Sequence, residues 1–163
     1  MYQRILLAYD GSLTGRKALA EGALLAKRCG SEIFLLSVVA ETPGMRIGEG
    51  AFAGAMVTNE ATYKAVFEEG VARLREMGFA CKAKLVMGEP TQEIAAFARE
   101  IKADLVVVGH RKQSLLSRWW SGSTGAYLAD NVDCSVLIGR KNITPADLEA
   151  AQQDAAKAHP AKA

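Results

Sequence analysis

The stretch with the clearest chemical potential runs from Gly109 to Thr124. No Asp or Glu occurs between residues 109 and 129, and the loop carries four basic side chains: His110, Arg111, Lys112 and Arg118. Gly122 and Ser123 then precede a Thr-Gly-Ala-Tyr-Leu-Ala run, which predicts that a helix begins there. The free N–H groups and the dipole at a helix N-terminus favour negative charge, and a glycine lets a ligand approach the backbone. The stretch therefore predicts a site that attracts an anion.

A second polar position follows the first apolar run of the chain. Residues 5–9 predict a buried strand, and Asp10-Gly11-Ser12 is a sequence that turns the chain and can cap a helix. Asp10 is therefore expected at the carboxyl end of that strand, where it either contacts a ligand or belongs to a helix cap. The sequence supports the two interpretations of Asp10 about equally.

Apolar runs alternate along the chain with segments of helical spacing. The apolar runs predict strands at residues 5–9, 33–39, 79–87, 105–108 and 134–138. Helical spacing predicts helices at residues 14–29, 58–77 and 94–101, and from about residue 122. Thr91 is the predicted cap of the third helix. Residues 40–57 show neither period, and they predict a surface loop.

This alternation predicts an α/β fold with an open, doubly wound, parallel five-stranded sheet and helices on both faces. The predicted strand order is the Rossmann-like order 3-2-1-4-5. Such sheets bind ligands beyond the carboxyl ends of the strands, where the strand order reverses. The reversal lies between the first and fourth strands, so Asp10 and the stretch at 109–124 are predicted to face each other across one crevice.

The composition narrows the function classes. With 163 residues, 50% of them hydrophobic, the chain fits one globular domain, and its net charge of +2 gives no indication of nucleic-acid binding. No signal peptide is evident and no run approaches the roughly 20 apolar residues that span a membrane, so a cytoplasmic protein without membrane contact is expected. Three distant cysteines without metal-binding spacing are expected to be reduced packing residues: Cys29, Cys81 and Cys134.

Four short segments together match a known pattern. They are Ala-Tyr-Asp-Gly-Ser at 8–12, Val-Val-Val-Gly at 106–109, Gly-Ser at 122–123 and Cys-Ser-Val-Leu-Ile at 134–138. With them the chain resembles the universal stress protein family, from about Tyr2 to Arg140. In the ATP-binding branch of that family, the phosphate loop is written Gly, two residues, Gly, nine residues, Gly-Ser or Gly-Thr. Gly109 and Gly122 fill the outer positions here, and Lys112 replaces the middle glycine.

The resemblance implies an adenine-nucleotide site, with ATP and accompanying Mg²⁺ as the expected ligand. Asp10 is similar to the family's contact to adenosine, and Val38 and Val39 resemble the wall beside the adenine. The family's phosphate contacts correspond to four residues: Gly109, Gly122, Ser123 and Thr124. Three basic side chains could donate further hydrogen bonds to phosphate oxygens: His110, Arg111 and Lys112. No catalytic residue and no metal ligand from the protein is predicted.

The implied function is that of an ATP-binding stress-response regulator that acts through nucleotide-dependent conformation and dimerisation. At most a slow ATPase is expected, because the basic loop supplies charge stabilisation and no carboxylate to orient a water. In one alternative, Lys112 closes the pocket and the protein is a dimeric interaction module without a nucleotide. In another, the protein is an enzyme of the adenine-nucleotide α-hydrolase-like group that activates a substrate as an adenylate.

The resemblance also implies how the protein assembles and where its domain ends. A homodimer is expected along the last strand, because family members pair there and an apolar edge is usually covered; the edge residues are Val136, Leu137 and Ile138. The resemblance implies a universal stress protein domain at residues 1–140, followed by a polar, Ala-rich tail at 141–163. Residues 144–147 (Thr-Pro-Ala-Asp) resemble a capping box, which predicts a short and peripheral helix in the tail.

Overall fold

A computed structural model describes residues 1–40, 53–110 and 124–158. Its strands are β1 (Arg4–Ala8), β2 (Glu32–Ala40), β3 (Lys82–Gly88), β4 (Leu105–Gly109) and β5 (Ser135–Gly139). Its helices are α1 (Leu13–Cys29), α2 (Ala53–Glu76), α3 (Pro90–Glu100), α4 (Thr124–Asn131) and α5 (Pro145–Ala158). None of the helices within these ranges is both long enough and apolar enough to cross a membrane.

The strands form one parallel sheet in the order β3-β2-β1-β4-β5, so the predicted α/β fold and strand order are confirmed. The central strands β1 and β4 are buried on both faces, as their continuous apolar runs require. Leu6 of β1 packs with α3 and α4, whereas Ile5 and Leu7 pack with α1 and α2. The helices therefore cover both faces of the sheet, as predicted.

Helix α2 and strand β3 begin at positions that differ from the predicted ones. α2 begins at Ala53, so the last part of the predicted loop at 40–57 is helical, and residues 41–52 lie outside the described residues. Alanine and methionine favour the helix in this stretch and outweigh its one glycine. β3 begins at Lys82 and not at Phe79, because the Phe79 N–H donates to the Leu74 oxygen at 2.9 Å where α2 ends.

The cap of α3 also differs from the prediction. Glu89 occupies the N-cap position, and its Oε2 accepts a hydrogen bond from the Gln92 N–H at 2.9 Å. Thr91, predicted as the cap, lies inside the helix; it is 6% exposed and its hydroxyl donates to Glu89. Pro90 fits the first helical position because that position needs no N–H donor. The longer carboxylate side chain of Glu89 therefore does what the sequence analysis assigned to Thr91.

Helix α5 is the helix predicted in the tail, and it packs against α1, a contact that was not predicted. The capping box forms: the Thr144 N–H donates to Asp147 Oδ2 at 2.8 Å, and the Asp147 N–H donates to Thr144 Oγ1 at 3.3 Å. Ala151 of α5 is 0% exposed and Leu24 of α1 is 7% exposed, although neither belongs to the clusters that pack on the sheet. Because α1 and α5 are in contact, we attribute the burial of both residues to this helix pair.

Candidate functional site at the end of the sheet

The carboxyl ends of β1 and β4 lie side by side in the middle of the sheet, where the strand order reverses. The pairing of β2 with β1 runs as far as Leu36 opposite Ala8. Beyond that point, residues 37–40 of β2 continue in register with β3 up to Gly88. The extended end of β2 therefore rises beyond the end of β1 and forms one side of a step, with the end of β4 on the other side.

Asp10 follows β1, and its carboxylate shapes the turn into α1. Asp10 Oδ1 accepts hydrogen bonds from the Ser12 N–H at 2.9 Å and from the Ser12 hydroxyl at 2.6 Å. Ser12 is the N-cap of α1, and its hydroxyl accepts from the Gly15 N–H at 2.9 Å. Asp10 thus acts on the helix cap through Ser12, and its contact with adenosine stays a prediction.

Gly15, in the first turn of α1, lies between Asp10 and Gly109. A Cβ atom on Gly15 would stand 2.4 Å from Asp10 Oδ1, and a Cβ atom on Gly109 would stand 2.8 Å from the Gly15 nitrogen. Both separations are shorter than side chains tolerate, so the absence of the two Cβ atoms lets α1 lie against the end of β4. The structure therefore brings Asp10 and Gly109 to the two sides of one residue.

Val38 and Val39 lie in the part of β2 that extends past β1. Val38 is 1% exposed and packs in the core under α3 and α4, whereas Val39 is half-buried. The neighbouring Ser37 hydroxyl donates to the Tyr9 oxygen at 2.9 Å and joins this part of β2 to the residue before Asp10. The predicted wall therefore consists of the Val39 side chain and of backbone, and its contact with adenine stays a prediction.

The remaining predicted residues lie on the loop after β4 and at the start of α4. His110 directly follows β4 and is half-buried. Thr124 is the first residue of α4, which agrees with the predicted start of a helix. Four predicted contacts lie outside the described residues: Arg111, Lys112, Gly122 and Ser123. In the part of the chain that is described, no group of three or more His, Cys, Asp or Glu residues could hold a metal ion.

The part that Gly15 plays was not predicted from the sequence. A glycine inside a helix costs about 0.5–1 kcal/mol relative to alanine, so a helix that carries one is often in close contact at that point. α1 is otherwise rich in Ala and Leu, and Gly15 interrupts it in its first turn. The signal was present in the sequence, but only the structure shows that the close neighbours are Asp10 and Gly109.

A charged cluster beside the Asp10 turn was also not predicted. It consists of Tyr9, Arg16, Glu69 and Arg73, and we call it the Glu69 cluster. Partial burial alone would raise the pKa of Glu69, but hydrogen bonds from Arg16 and Arg73 outweigh it, so the pKa is lowered. The Tyr9 hydroxyl is buried beside Arg16 and Glu69, and it makes no well-aligned hydrogen bond to the described residues. Its burial is the main cause of the raised pKa of Tyr9.

These features define the class of the protein, an open, doubly wound α/β protein whose polar turn residues gather where the strand order reverses. The model of the universal stress protein family matches residues 1–140. The chain belongs to the universal stress protein family.

Known relatives agree with this assignment. A universal stress protein of Methanocaldococcus jannaschii is 28% identical over 149 residues, which cover 86% of this chain and 84% of the relative. A solved universal stress protein in complex with cAMP matches with a TM-score of 0.63 and 24% identity, over 86% of this chain and 99% of that one. A universal stress family protein of Arabidopsis thaliana with AMP bound matches with a TM-score of 0.60 and 21% identity, over 90% and 98%. At these identities the two structures show a common fold.

Proposed function

We propose that the protein binds ATP, accompanied by Mg²⁺, where β1 and β4 end, and that it acts as a nucleotide-dependent stress-response regulator. The observation that carries the proposal is the position of Asp10 and Gly109 on the two sides of Gly15. A carboxylate accepts hydrogen bonds from ribose hydroxyl groups, which suits Asp10 to the nucleoside end of the ligand. The basic stretch that starts after Gly109 suits the phosphate end.

The proposed ligand has support from chemistry and from relatives. Arg111 and Lys112 are the nearest cations in sequence to Gly109, and the Mg²⁺ ion would arrive with the phosphates, which are its preferred oxygen ligands. The adenine base is proposed because the related structures bind cAMP and AMP. The end of β2 would flank the base, with the half-buried Val39 as its apolar contact.

The proposed role is regulatory, with at most slow ATP hydrolysis. Rapid hydrolysis requires a water positioned by a carboxylate or an equivalent group beside the phosphates. Asp10 Oδ1 accepts two hydrogen bonds from Ser12, so this oxygen serves the start of α1. Release of pyrophosphate in the presence of an acceptor substrate would instead favour an adenylate-forming enzyme.

The test of this proposal separates a ligand contact of Asp10 from its effect on the helix cap. Isothermal titration calorimetry with ATP and Mg²⁺ is expected to show saturable binding to the wild type. Asp10→Ala is expected to weaken the binding at least about tenfold, since a hydrogen bond to a charged group contributes about 1.5–3 kcal/mol. The matched variant Ser12→Ala removes the hydroxyl that caps α1 but keeps the Ser12 N–H bond to Asp10 Oδ1, so it should lower stability by about 1 kcal/mol while leaving the affinity within about threefold.

Each outcome of this titration has a defined meaning. Absence of saturable binding at millimolar ATP would remove the proposal, and a dimeric module without a nucleotide would become the better account. Equal losses of affinity in Asp10→Ala and Ser12→Ala would show that Asp10 acts only through the helix cap. Gly122→Val probes the phosphate end of the site, and it is expected to weaken the binding of ATP more than the binding of adenosine.

A homodimer through β5 is the second part of the proposal. β5 is an edge strand, and Ile138 on it is 41% exposed. The opposite edge, β3, carries Lys82 and Lys84, which lie over the rings of Phe34 and Phe97 at 5.3 and 4.8 Å. Lysines on an edge strand disfavour pairing with another strand. The apolar edge at β5 is therefore the better dimer surface.

Analytical ultracentrifugation tests the dimer at micromolar concentration. The wild type is expected to sediment as a dimer, and Ile138→Lys is expected to sediment as a monomer because a lysine opposes pairing at β5. Met87→Lys is the matched control, since Met87 is a 65% exposed apolar residue on β3, the other edge. A monomeric wild type, or a monomer produced only by Met87→Lys, would contradict the assignment.

A further inference from the structure

The turn that carries Asp10 is in close contact with α2. Gly11 has a φ of 71°, and a Cβ atom on it would stand 2.9 Å from Cγ1 of Val66 in α2. One turn further along α2, a Cβ atom on Gly70 would stand 2.7 Å from the ring of Tyr9. Tyr9 and Gly11, the residues before and after Asp10, are therefore packed closely against α2.

Between these two contacts, Glu69 joins α2 to the start of α1. Arg16 donates from Nε to Glu69 Oε1 at 2.9 Å and from Nη2 to Oε2 at 3.1 Å, which is a bidentate pair. Arg73 donates to the same Oε1 at 2.7 Å. A bidentate arginine–carboxylate pair fixes orientation as well as distance. Arg16 also donates its backbone N–H to the Ser12 oxygen at 2.8 Å, so Glu69 holds the residue that closes the first turn of α1.

We infer that Glu69 is a positioning residue for the nucleotide site, because it fixes the first turn of α1 and, through Ser12, the carboxylate of Asp10. This inference rests on the proposed function. The chain of contacts has no gap and runs through the Ser12 backbone: Glu69 binds Arg16, the Arg16 N–H donates to the Ser12 oxygen, and the Ser12 N–H donates to Asp10 Oδ1. In this proposal Glu69 acts on the site through α1.

The solvent exposure of the Arg16–Glu69 ion pair indicates that the pair positions α1 more than it stabilises the fold. The side chain of Glu69 is 28% exposed and that of Arg16 is 42% exposed. Ion pairs with this access to water contribute little to the free energy of folding, because water screens them and both side chains lose rotamer freedom. Loss of the pair should therefore free the start of α1 while leaving the fold nearly as stable as before.

Two measurements on Glu69→Gln test the inference, with Glu68→Gln as the matched control, since Glu68 is the exposed neighbour on the same helix. Hydrogen–deuterium exchange of amides 11–16 in the nucleotide-free protein is expected to rise about three- to fivefold in Glu69→Gln and to stay unchanged in Glu68→Gln. Calorimetric titration with ATP and Mg²⁺ at 15 °C, where each variant is folded, is expected to show about three- to fivefold weaker binding in Glu69→Gln only. A merely structural role would lower the melting temperature and leave the affinity of the folded protein unchanged.

The outcomes separate this inference from the proposed function. If the wild type binds ATP and Glu69→Gln binds it equally well, the inference is overturned and the proposed function stands. If the wild type does not bind ATP, the proposed function fails, and the exchange rates alone decide whether Glu69 positions the turn. Unchanged exchange at residues 11–16 in Glu69→Gln overturns the inference in either case.

Discussion

Replacement of Gly109 by alanine is expected to lower the free energy of unfolding by about 2–3 kcal/mol, which is typical of an overpacked core position. The added Cβ atom would lie 2.8 Å from the Gly15 nitrogen and 2.9 Å from the Thr14 carbonyl group. These neighbours are backbone atoms, so the contact cannot be relieved by a change of side-chain rotamer. The first turn of α1 would have to move away from the end of β4, and the turn that contains Asp10 would move with it.

Urea denaturation followed by circular dichroism measures this effect, with Gly30→Ala as the matched control. Gly30 has a φ of 65° and open space around its missing Cβ atom, so alanine there meets only the strain of a left-handed backbone, about 1 kcal/mol. Gly109→Ala should therefore cost clearly more than Gly30→Ala, and it should also weaken ATP binding. Equal costs for the two variants would show that the end of β4 and α1 are not in the described contact.

Introduction of a charge at Ala151 is the second change for which a large loss is expected. Ala151 of α5 is 0% exposed, and we attribute its burial to the packing of α5 on α1. Ala151→Asp is expected to cost about 3 kcal/mol, because a carboxylate would have to lose its hydration at a fully buried position or α5 would leave α1. Leu24, 7% exposed on α1, would lose its cover in the second case.

Ala150→Asp is the control for this substitution, since Ala150 is the exposed neighbour on the same helix. Its effect on the melting temperature should be small, whereas Ala151→Asp should lower the melting temperature by about 6–12 °C. Truncation after Asn142 should give a loss similar to that of Ala151→Asp, because both remove the cover that α5 supplies to α1. Wild-type stability in the truncated chain would contradict the packing of α5 on α1.

The sequence predicted the fold and the edge of the sheet at which Asp10 and Gly109 come together, because the relevant signals are local. The run from Leu105 to Val108 is apolar at every position, which indicates a strand buried on both faces. The turn at Asp10 follows directly from the end of the first apolar run. Parallel pairing then brings the carboxyl ends of both strands to one edge, so Asp10 and Gly109 had to come near each other.

The contacts that the sequence did not predict join residues with no local relation. Arg16 and Glu69 are 53 positions apart, and no spacing rule connects them. The side chain that caps α3 was missed because Glu89 and Thr91 are both plausible acceptors, and the choice between them depends on which of the two faces the core. The packing of α5 on α1 was not predicted because the buried residue, Ala151, is a small side chain, and its sequence neighbours do not show that another helix lies close to it.

The most direct test of the account is a crystal structure of the protein grown with ATP and Mg²⁺. Electron density for the nucleotide is expected in the step between the end of β2 and the end of β4. The Asp10 carboxylate should lie within hydrogen-bond distance of the ribose, and the phosphates should lie against the chain that follows Gly109. A nucleotide bound elsewhere on the protein, or a step at full ATP saturation that contains only protein side chains, would contradict the account.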